Sequence, residues 1–471
     1  ARSGALRLQL QRVDLRSGAV RGTAVVDGTD VFELADRATA ELATRLGRTA
    51  GELRVADVTT PSLAAYRFYE QGLRSLGAGD YERSLQLFDA ALAEDSLFAM
   101  AALQAYNSAA ALGRTAAGPS LDHLSSVAAR AAERERLLIR TTVGLARGEP
   151  GMVVIAESLS VRYPAEPEGH LTLGAAQSAD GDFLGALPHF YHVITADSLG
   201  LRGNRPRCVS CQAYAHIANA YMLADSMDAA ERITREWMQR QPGSPEAWRW
   251  LGVVLAAQGN YDEAAAALRA AAAASRPELP VISAFLPTTL SIKAGDFAAA
   301  DRLLDNILRS GARELHQTAL WYRAISLRNQ GRHDEALTAI DRHAALYSAA
   351  NAAERLSSVL QRAQIHFEQG RFREAARAFD SLAAFSPSTQ APSGLARHKS
   401  WMLVHLATTH AATGDTAALK ALIEPLRAWG ARSGYGRDRR LYHHAQGLLL
   451  VARGRNAEAA AEFRRAIYSL N

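Results

Sequence analysis

Two cysteines and a few paired histidines are the residues whose types and spacing could do chemistry in this chain. Cys208 and Cys211, in "RPRCVSCQAYAH", are its only cysteines. A C-x-x-C pair can act as a redox dithiol, close a disulfide, contribute metal ligands or anchor a haem. Haem attachment requires histidine directly after the second cysteine, and Gln212 stands there; structural zinc requires four ligands, and the pair offers two. A redox dithiol, a local disulfide clamp and two chemically silent thiols stay open. A helix starting at the pair would lower a thiol pKa and favour the first, but no strand-helix-strand pattern of a dithiol oxidoreductase surrounds it. In an oxidising compartment the expectation is a disulfide that pins the preceding segment.

His189 and His192 stand three apart on one helix and could chelate a metal, yet no carboxylate or cysteine recurs at a matching interval, so they read as surface or packing residues. His443 and His444 point to different sides of a helix. "GARSGYGRDRR", from Gly430 to Arg440, follows no strand and reads as a loop between helices rather than a phosphate cradle. The sequence has no H-E-x-x-H, no G-x-x-x-x-G-K-[ST], no G-x-S-x-G and no S-x-x-K. We therefore expect no enzyme, no cofactor and no metal.

The elements that would position any site repeat along the chain. In "PEAWRWLGVVLAAQGNYDEAAAALRAAAA", from Pro245, the residues Trp248, Leu251, Gly252 and Leu255 share one helix face, and Ala264, Leu268 and Ala271 share another after the Gly259-Asn260 turn. That is a helical hairpin with an apolar seam, small residues marking where the helices approach. The same frame starts at Ala65, Pro167 and Cys211, with Gly79-Asp80-Tyr81 and Gly181-Asp182-Phe183 as turns in the first two. Further turns lie at Gly295-Asp296-Phe297, Gly331-Arg332-His333, Gly370-Arg371-Phe372 and Gly414-Asp415, and a last unit at Gly447 with Ala459 and Phe463. Weaker copies occupy residues 99–136 and 137–166.

These residues resemble the tetratricopeptide repeat: its W-x2-L-G-x2-Y and A-x3-F pattern is matched by Trp248, Leu251, Gly252, Leu255 in the tyrosine place, Ala264 and Leu268, while its closing proline is replaced by Arg276. The resemblance implies an all-α solenoid, a right-handed superhelix of about eleven hairpins over residues 61–471, with an insertion at about 199–210.

Residues 1–60 break the pattern. Leu6, Leu8 and Leu10 alternate with polar neighbours, the chain turns at Ser17-Gly18, and it returns through Val20 to Val26, a hairpin signature. A helix with Phe32, Leu34, Ala38, Leu42 and Leu46 on one side follows. Val13-Asp14, Gly18 and Phe32 to Asp36 resemble the end of a TolB-like domain, and the small ββα piece reads as a remnant of one. A TolB-like end followed by such repeats looks like the C-terminal region of bacterial receptor-type Ser/Thr kinases and membrane-anchored transcriptional regulators. That resemblance implies an extracytoplasmic tail, periplasmic or at the cell surface, with a membrane anchor upstream; a cytoplasmic setting is the alternative.

Composition narrows the function. The net charge is +5, and among 53 basic residues only Lys293, Lys399 and Lys420 are lysines. Acidic residues are interspersed and no basic block exceeds "RDRR" at Arg437 to Arg440, which argues against nucleic acid. No apolar run reaches the ~18 residues that span a bilayer. The chain starts at Ala1 without a signal-like segment, so any targeting sequence is expected to be removed or to lie upstream.

The expected function is a non-enzymatic interaction scaffold or sensor region in signal transduction, binding a peptide, a protein or its own oligomer. The alternative is a redox-responsive module using the C-x-x-C pair. In the repeat frame Tyr66, Tyr69, Asn219, Arg249, Phe285, Trp321, Arg328 and Gln364 take inward positions and are the candidate contacts, each of which can equally fill the interior. The lysine and asparagine carboxylate clamp of some such repeats is not reproduced, since Asn219 is in place but Ala215 stands at the basic position.

A Cys208 to Cys211 bridge closes a very short loop, so its effect on global stability is small, below the ~3 kcal/mol of longer loops. Replacing both cysteines with serine is expected to leave the melting temperature nearly unchanged while speeding proteolysis between Leu199 and Val209. A large drop in melting temperature would refute the local role.

Overall fold

The computed structural model describes residues 5–14, 17–45, 47, 55–77, 79–112, 118–149, 151–197, 208–274, 281–309, 314–346, 352–385 and 392–466. The chain divides into two compact units, residues 1–143 and 144–471.

The first unit opens with β1 (Leu6–Val13) and β2 (Val20–Gly28), antiparallel with Leu8 opposite Val26 and Leu10 opposite Ala24. The alternation of the sequence puts Leu8, Leu10 and Val26 on one side, where Leu34 and Ala38 of α1 (Val31–Arg45) cover them. Asp30 starts that helix, its carboxylate accepting the N–H groups of Phe32 and Glu33 at 2.8 and 2.9 Å. Of the expected helix face, Phe32, Leu34 and Ala38 are buried, and Leu46 lies outside the described residues. The unit continues through α2 (Val55–Val58), α3 (Leu63–Gly77), α4 (Tyr81–Glu94), α5 (Ala99–Ala111), α6 (Leu121–Val127) and α7 (Glu133–Arg147), which the division cuts. Phe32 meets Tyr66 of α3 edge to face at 6.0 Å, so the ββα element packs on the first hairpin. In the weak copy at residues 99–136 the second helix, α6, has only seven residues and ends in a 3-10 turn at Ala128–Arg130.

The second unit is a succession of antiparallel helices. After α8 (Met152–Arg162) come α9 (Pro167–Ala179), α10 (Phe183–Ala196), α11 (Val209–Leu223), α12 (Met227–Arg240), α13 (Pro245–Gln258) and α14 (Tyr261–Ala274). Then follow α15 (Val281–Lys293), α16 (Phe297–Arg309), α17 (Glu314–Asn329), α18 (His333–Ala345), α19 (Ala352–Glu368) and α20 (Phe372–Ala384). The array ends with α21 (Pro392–Thr413), α22 (Thr416–Arg432), α23 (Leu441–Ala452) and α24 (Asn456–Ala466). In the first unit α3 pairs with α4, and in the second α9 with α10, α11 with α12 and so on to α23 with α24, as the hairpins read from the sequence. The inserted segment Leu199–Pro206 lies outside the described residues.

One short device makes several of the hairpins. At the end of α9, Gly181 adopts φ +85°, which lets the Asp182 N–H turn back to the Gln177 carbonyl at 2.9 Å. The Asp182 carboxylate then accepts the Gly185 N–H at 3.0 Å and starts α10. Gly414 and Asp415 repeat it between α21 and α22, with bonds of 2.9 Å to the His410 carbonyl and from the Ala418 N–H. Glycine-aspartate therefore ends one helix and begins the next within two residues.

The seam of a hairpin rests on small residues. A Cβ on Gly174 of α9 would sit 2.6 Å from the ring of Phe190 on α10, and one on Gly447 of α23 would sit 2.5 Å from Phe463 on α24. Ala186, Ala230, Ala264, Ala300, Ala336 and Ala375 on the second helices are fully buried where they meet their neighbours. The rings fill the gaps beside these contacts, each worth about 1.5–3 kcal/mol of burial.

Gly174→Val is expected to cost about 1–3 kcal/mol by overpacking. Amide exchange should quicken in α9 and α10; unchanged exchange would mean that Phe190 has room to turn aside.

Candidate functional site

The start of α11 is built around the cysteine pair. Asp197, at the end of α10, is buried and accepts the N–H groups of Val209 and Ser210 at 3.1 and 3.2 Å. Its negative charge thus meets the positive end of α11. Cys208 is the N-cap, its Sγ accepting the Cys211 N–H at 3.1 Å, and the two cysteines form a disulfide with Cα atoms 5.2 Å apart. Cys211 Sγ lies 3.3 Å from Gln241 Oε1, a contact without a proton because the sulfur is oxidised. The same Oε1 accepts the Trp237 indole N–H at 3.1 Å.

The candidate inward residues fall into different settings. Tyr66 and Tyr69 of α3 belong to apolar clusters of the first unit: Tyr66 donates to Glu70 at 3.4 Å, and Tyr69 packs between Phe88 and Phe98, ring centroids 5.8 and 4.8 Å away. Arg249 of α13 is 4% exposed and paired with Glu246 one turn earlier, with its Nη1 bonded to no described group. Phe285 of α15 is buried and stacks on Tyr322 at 5.3 Å. Trp321 of α17 lies 5.7 Å from His343, and Asn219 of α11 is half-buried.

Arg328 and Gln364 are brought together. From α17, Arg328 Nη1 donates to Gln361 Oε1 at 2.5 Å and to Gln364 Oε1 at 2.8 Å on α19, while its Nε and Nη2 hold Glu368 at 3.1 and 2.5 Å. Gln364 Nε2 lies 3.4 Å from His405 Nε2 on α21, and Thr408 Oγ1 lies 3.3 Å from His444 Nε2 on α23. A polar ladder thus joins four successive first helices, and the Arg328 guanidinium is already engaged by a carboxylate.

The segment read as a loop at Gly430 to Arg440 closes the second unit on itself. Between α22 and α23 it forms a 3-10 turn, Gly436–Arg440, that touches the hairpin turn at Asp225, while Gly434 just before it touches the one at Gly181. The Gly434 N–H donates to Ser393 Oγ at 2.7 Å, and a Cβ there would lie 1.8 Å from the Gly181 carbonyl oxygen. A Cβ on Gly436 would lie 2.3 Å from the Ala224 carbonyl oxygen. Tyr435 packs on Phe183 at 4.9 Å beneath the Arg397 guanidinium at 4.1 Å. Arg440 pairs with Asp225, the one described non-glycine residue at positive φ, +64°. Asp438 is fully buried and accepts from Ser433, Trp401 and Arg397 at 2.7, 2.8 and 3.3 Å. Burial pushes its carboxyl up, and these partners oppose that. Sequence reasoning missed Asp225 and Asp438. The signal for Asp225 was present, since "ADS" at 224–226 occupies the place that glycine takes in other turns.

Histidines recur against aromatic rings. His216 of α11 stacks on Phe190 at 4.9 Å, and His405 of α21 on Phe379 at 5.0 Å. His170 of α9 joins the sequence-noted pair, its Nδ1 3.3 Å from that of His189 and its ring 4.0 Å from that of His192. Among the described residues no group of three histidines, cysteines or carboxylates is arranged to hold a metal, and no helix is long and apolar enough to cross a membrane.

Burial pushes both His216 and His405 down to about 4, with Arg328 and His444 adding to the effect at His405. The unfolded chain takes up these protons first, near pH 6.5, so stability is full above that value and is lost as pH falls towards 4. Replacing His216 and His405 with phenylalanine is expected to keep the stacking and move the acid midpoint, followed by far-UV circular dichroism, to lower pH. A midpoint at or above that of the parent protein would refute this assignment.

Models of the tetratricopeptide repeat match residues 217–278, 291–353 and 357–381. Among solved structures, a tetratricopeptide repeat protein from Parabacteroides merdae ATCC 43184 is 15% identical, with a TM-score of 0.42 over 59% of this chain and 98% of its own. Yeast Tom70 is 11% identical, with a TM-score of 0.36 over 85% and 99%, and pilF of Pseudomonas aeruginosa is 12% identical, with 0.30 over 54% and 96%. A search of curated proteins found no match. The glycine-aspartate turns, the glycine-to-phenylalanine seams and the matched segments agree: the chain carries tetratricopeptide repeats.

Proposed function

We propose that the second unit is a protein-interaction scaffold whose row of first helices, α11 through α21, receives an extended segment of a partner protein. Tetratricopeptide repeats serve in general as such scaffolds, and no catalytic family is indicated. The observation that carries the reading is the polar ladder from Arg328 through Gln364 and His405. It fixes neighbouring first helices before any partner arrives, which reduces the ordering cost of binding. In this reading Asn219 and Trp321, both half-buried and outside the ladder, make partner contacts, while Arg328 and Gln364 hold the face in shape. The setting we propose is extracytoplasmic, supported by the Cys208–Cys211 disulfide, which persists where the surroundings are oxidising. The ββα element is the remnant of a TolB-like domain in a membrane-anchored signalling protein, a role supported by the residues at Val13-Asp14 and Phe32 to Asp36.

Peptides selected from a random displayed library on the purified protein should lose roughly tenfold in affinity when Asn219 and Trp321 are both replaced by alanine, or about 1.4 kcal/mol. The melting temperature of the variant is measured alongside. Undiminished binding by a folded variant would place the partner elsewhere.

A further inference from the structure

His170 of α9 and His189 of α10 face each other across one hairpin, Nδ1 to Nδ1 at 3.3 Å. For a hydrogen bond that separation is long. It is the separation that one metal ion imposes on two of its ligands. A tetrahedral zinc ion with Zn–N bonds of about 2.0–2.1 Å holds two nitrogens about 3.3–3.4 Å apart. At the same bond length, neighbouring ligands at right angles on a square or octahedral ion lie only about 2.9 Å apart, so the spacing selects the tetrahedral ion. Spacing along the chain offers His189 only His192 as a partner; the facing helix supplies a better one.

The surroundings suit a ligand pair. A ring N–H of His170 donates to the Pro164 carbonyl, which leaves the other nitrogen of the neutral imidazole with a free lone pair. A bond of this kind to a backbone carbonyl is the usual support of a metal-binding histidine, because it fixes the tautomer and the orientation of the ring. Burial pushes both His170 and His189 below the ordinary histidine range, and the nearby His192 adds to the effect. Both rings are therefore neutral at neutral pH, the state in which imidazole binds a metal. The Glu157 carboxylate on α8 acts on His189 and brings negative charge beside the pair.

We infer that His170 and His189 bind one zinc ion between their Nδ1 atoms, in an open site that joins α9 to α10. The other coordination positions go to water and to His192. That residue is exposed, and its ring, packed 4.0 Å from that of His170, has to turn to reach the ion. Two standing ligands and room for water make the zinc exchangeable, unlike a structural zinc, which takes four protein ligands. Imidazole suits zinc, whereas magnesium takes oxygen ligands and is excluded by the same pair. The site uses none of the residues assigned to partner contact, so zinc binding and peptide binding are measured independently.

The test uses the full chain without a histidine tag and the chlorides of zinc and magnesium as probes. Binding is followed by calorimetry and by nitrogen spectra of the protein labelled in its imidazole rings. One zinc ion per chain should bind, and the Nδ1 resonances of His170 and His189 should move together. His170→Gln and His189→Gln should each weaken zinc at least about tenfold. Zinc should also raise the melting temperature of the parent protein, because it binds the folded chain, and leave that of the double variant unchanged. The resonances are read on the parent protein, so the ligands are identified whether or not a variant folds well. Zinc binding weaker than about 1 mM, coordination at other histidines, or full affinity in either single variant would overturn the site. Equal binding of magnesium would overturn the choice of metal.

Discussion

The close approach of two helices at a residue with little or no side chain is the constraint on which the hairpins depend. Where Gly174 faces Phe190 and Gly447 faces Phe463, a methyl group would already collide with the ring. The ring is therefore held flat against backbone, and its outer face is offered to the next helix. His216 and His405 use those outer faces of Phe190 and Phe379. Intra-hairpin packing thus passes into inter-hairpin packing through one aromatic side chain, which is how an array without a central core accumulates stability.

Such an array needs only neighbour contacts, yet the second unit has contacts between hairpins far apart in sequence. The turn between α22 and α23 reaches the turns at Gly181 and Asp225, and its glycines stand where a carbonyl oxygen occupies the space of a side chain. Asp438 sits at the centre of this contact, buried but supplied with Ser433, Trp401 and Arg397. Removing a partner from a buried carboxylate costs more than the pair contributes. The contact therefore ties the α9 to α12 region to the α21 to α23 region as one body.

The hairpins, their turns and the apolar seams were legible in the sequence because they depend on residues less than one repeat apart. Gly-Asp pairs, buried alanines and the ring positions recur with a fixed step, and local geometry follows from each pair regardless of the rest of the chain. The β1–β2 hairpin and α1 were legible for the same reason, as alternation and an Asp30 cap act over a few residues.

What the tertiary structure alone decided is which side chains meet across the array. The sequence placed Arg328 and Gln364 at inward positions, and only the packing of α17 beside α19 shows that they bond to each other and to Glu368. His170 meets His189 and His192 within one hairpin, because α9 lies against α10, although no motif in the repeat marks a histidine there. The segment at Gly430 to Arg440 reads locally as a connection, since nothing in its own residues says that Gly181, Ala224 and Asp225 will arrive beside it. Local sequence determines the hairpin because its hydrogen bonds close within a few residues. The pairing of surfaces between hairpins depends on the small rotation from each to the next, which is set by the sum of many packed side chains and by no motif.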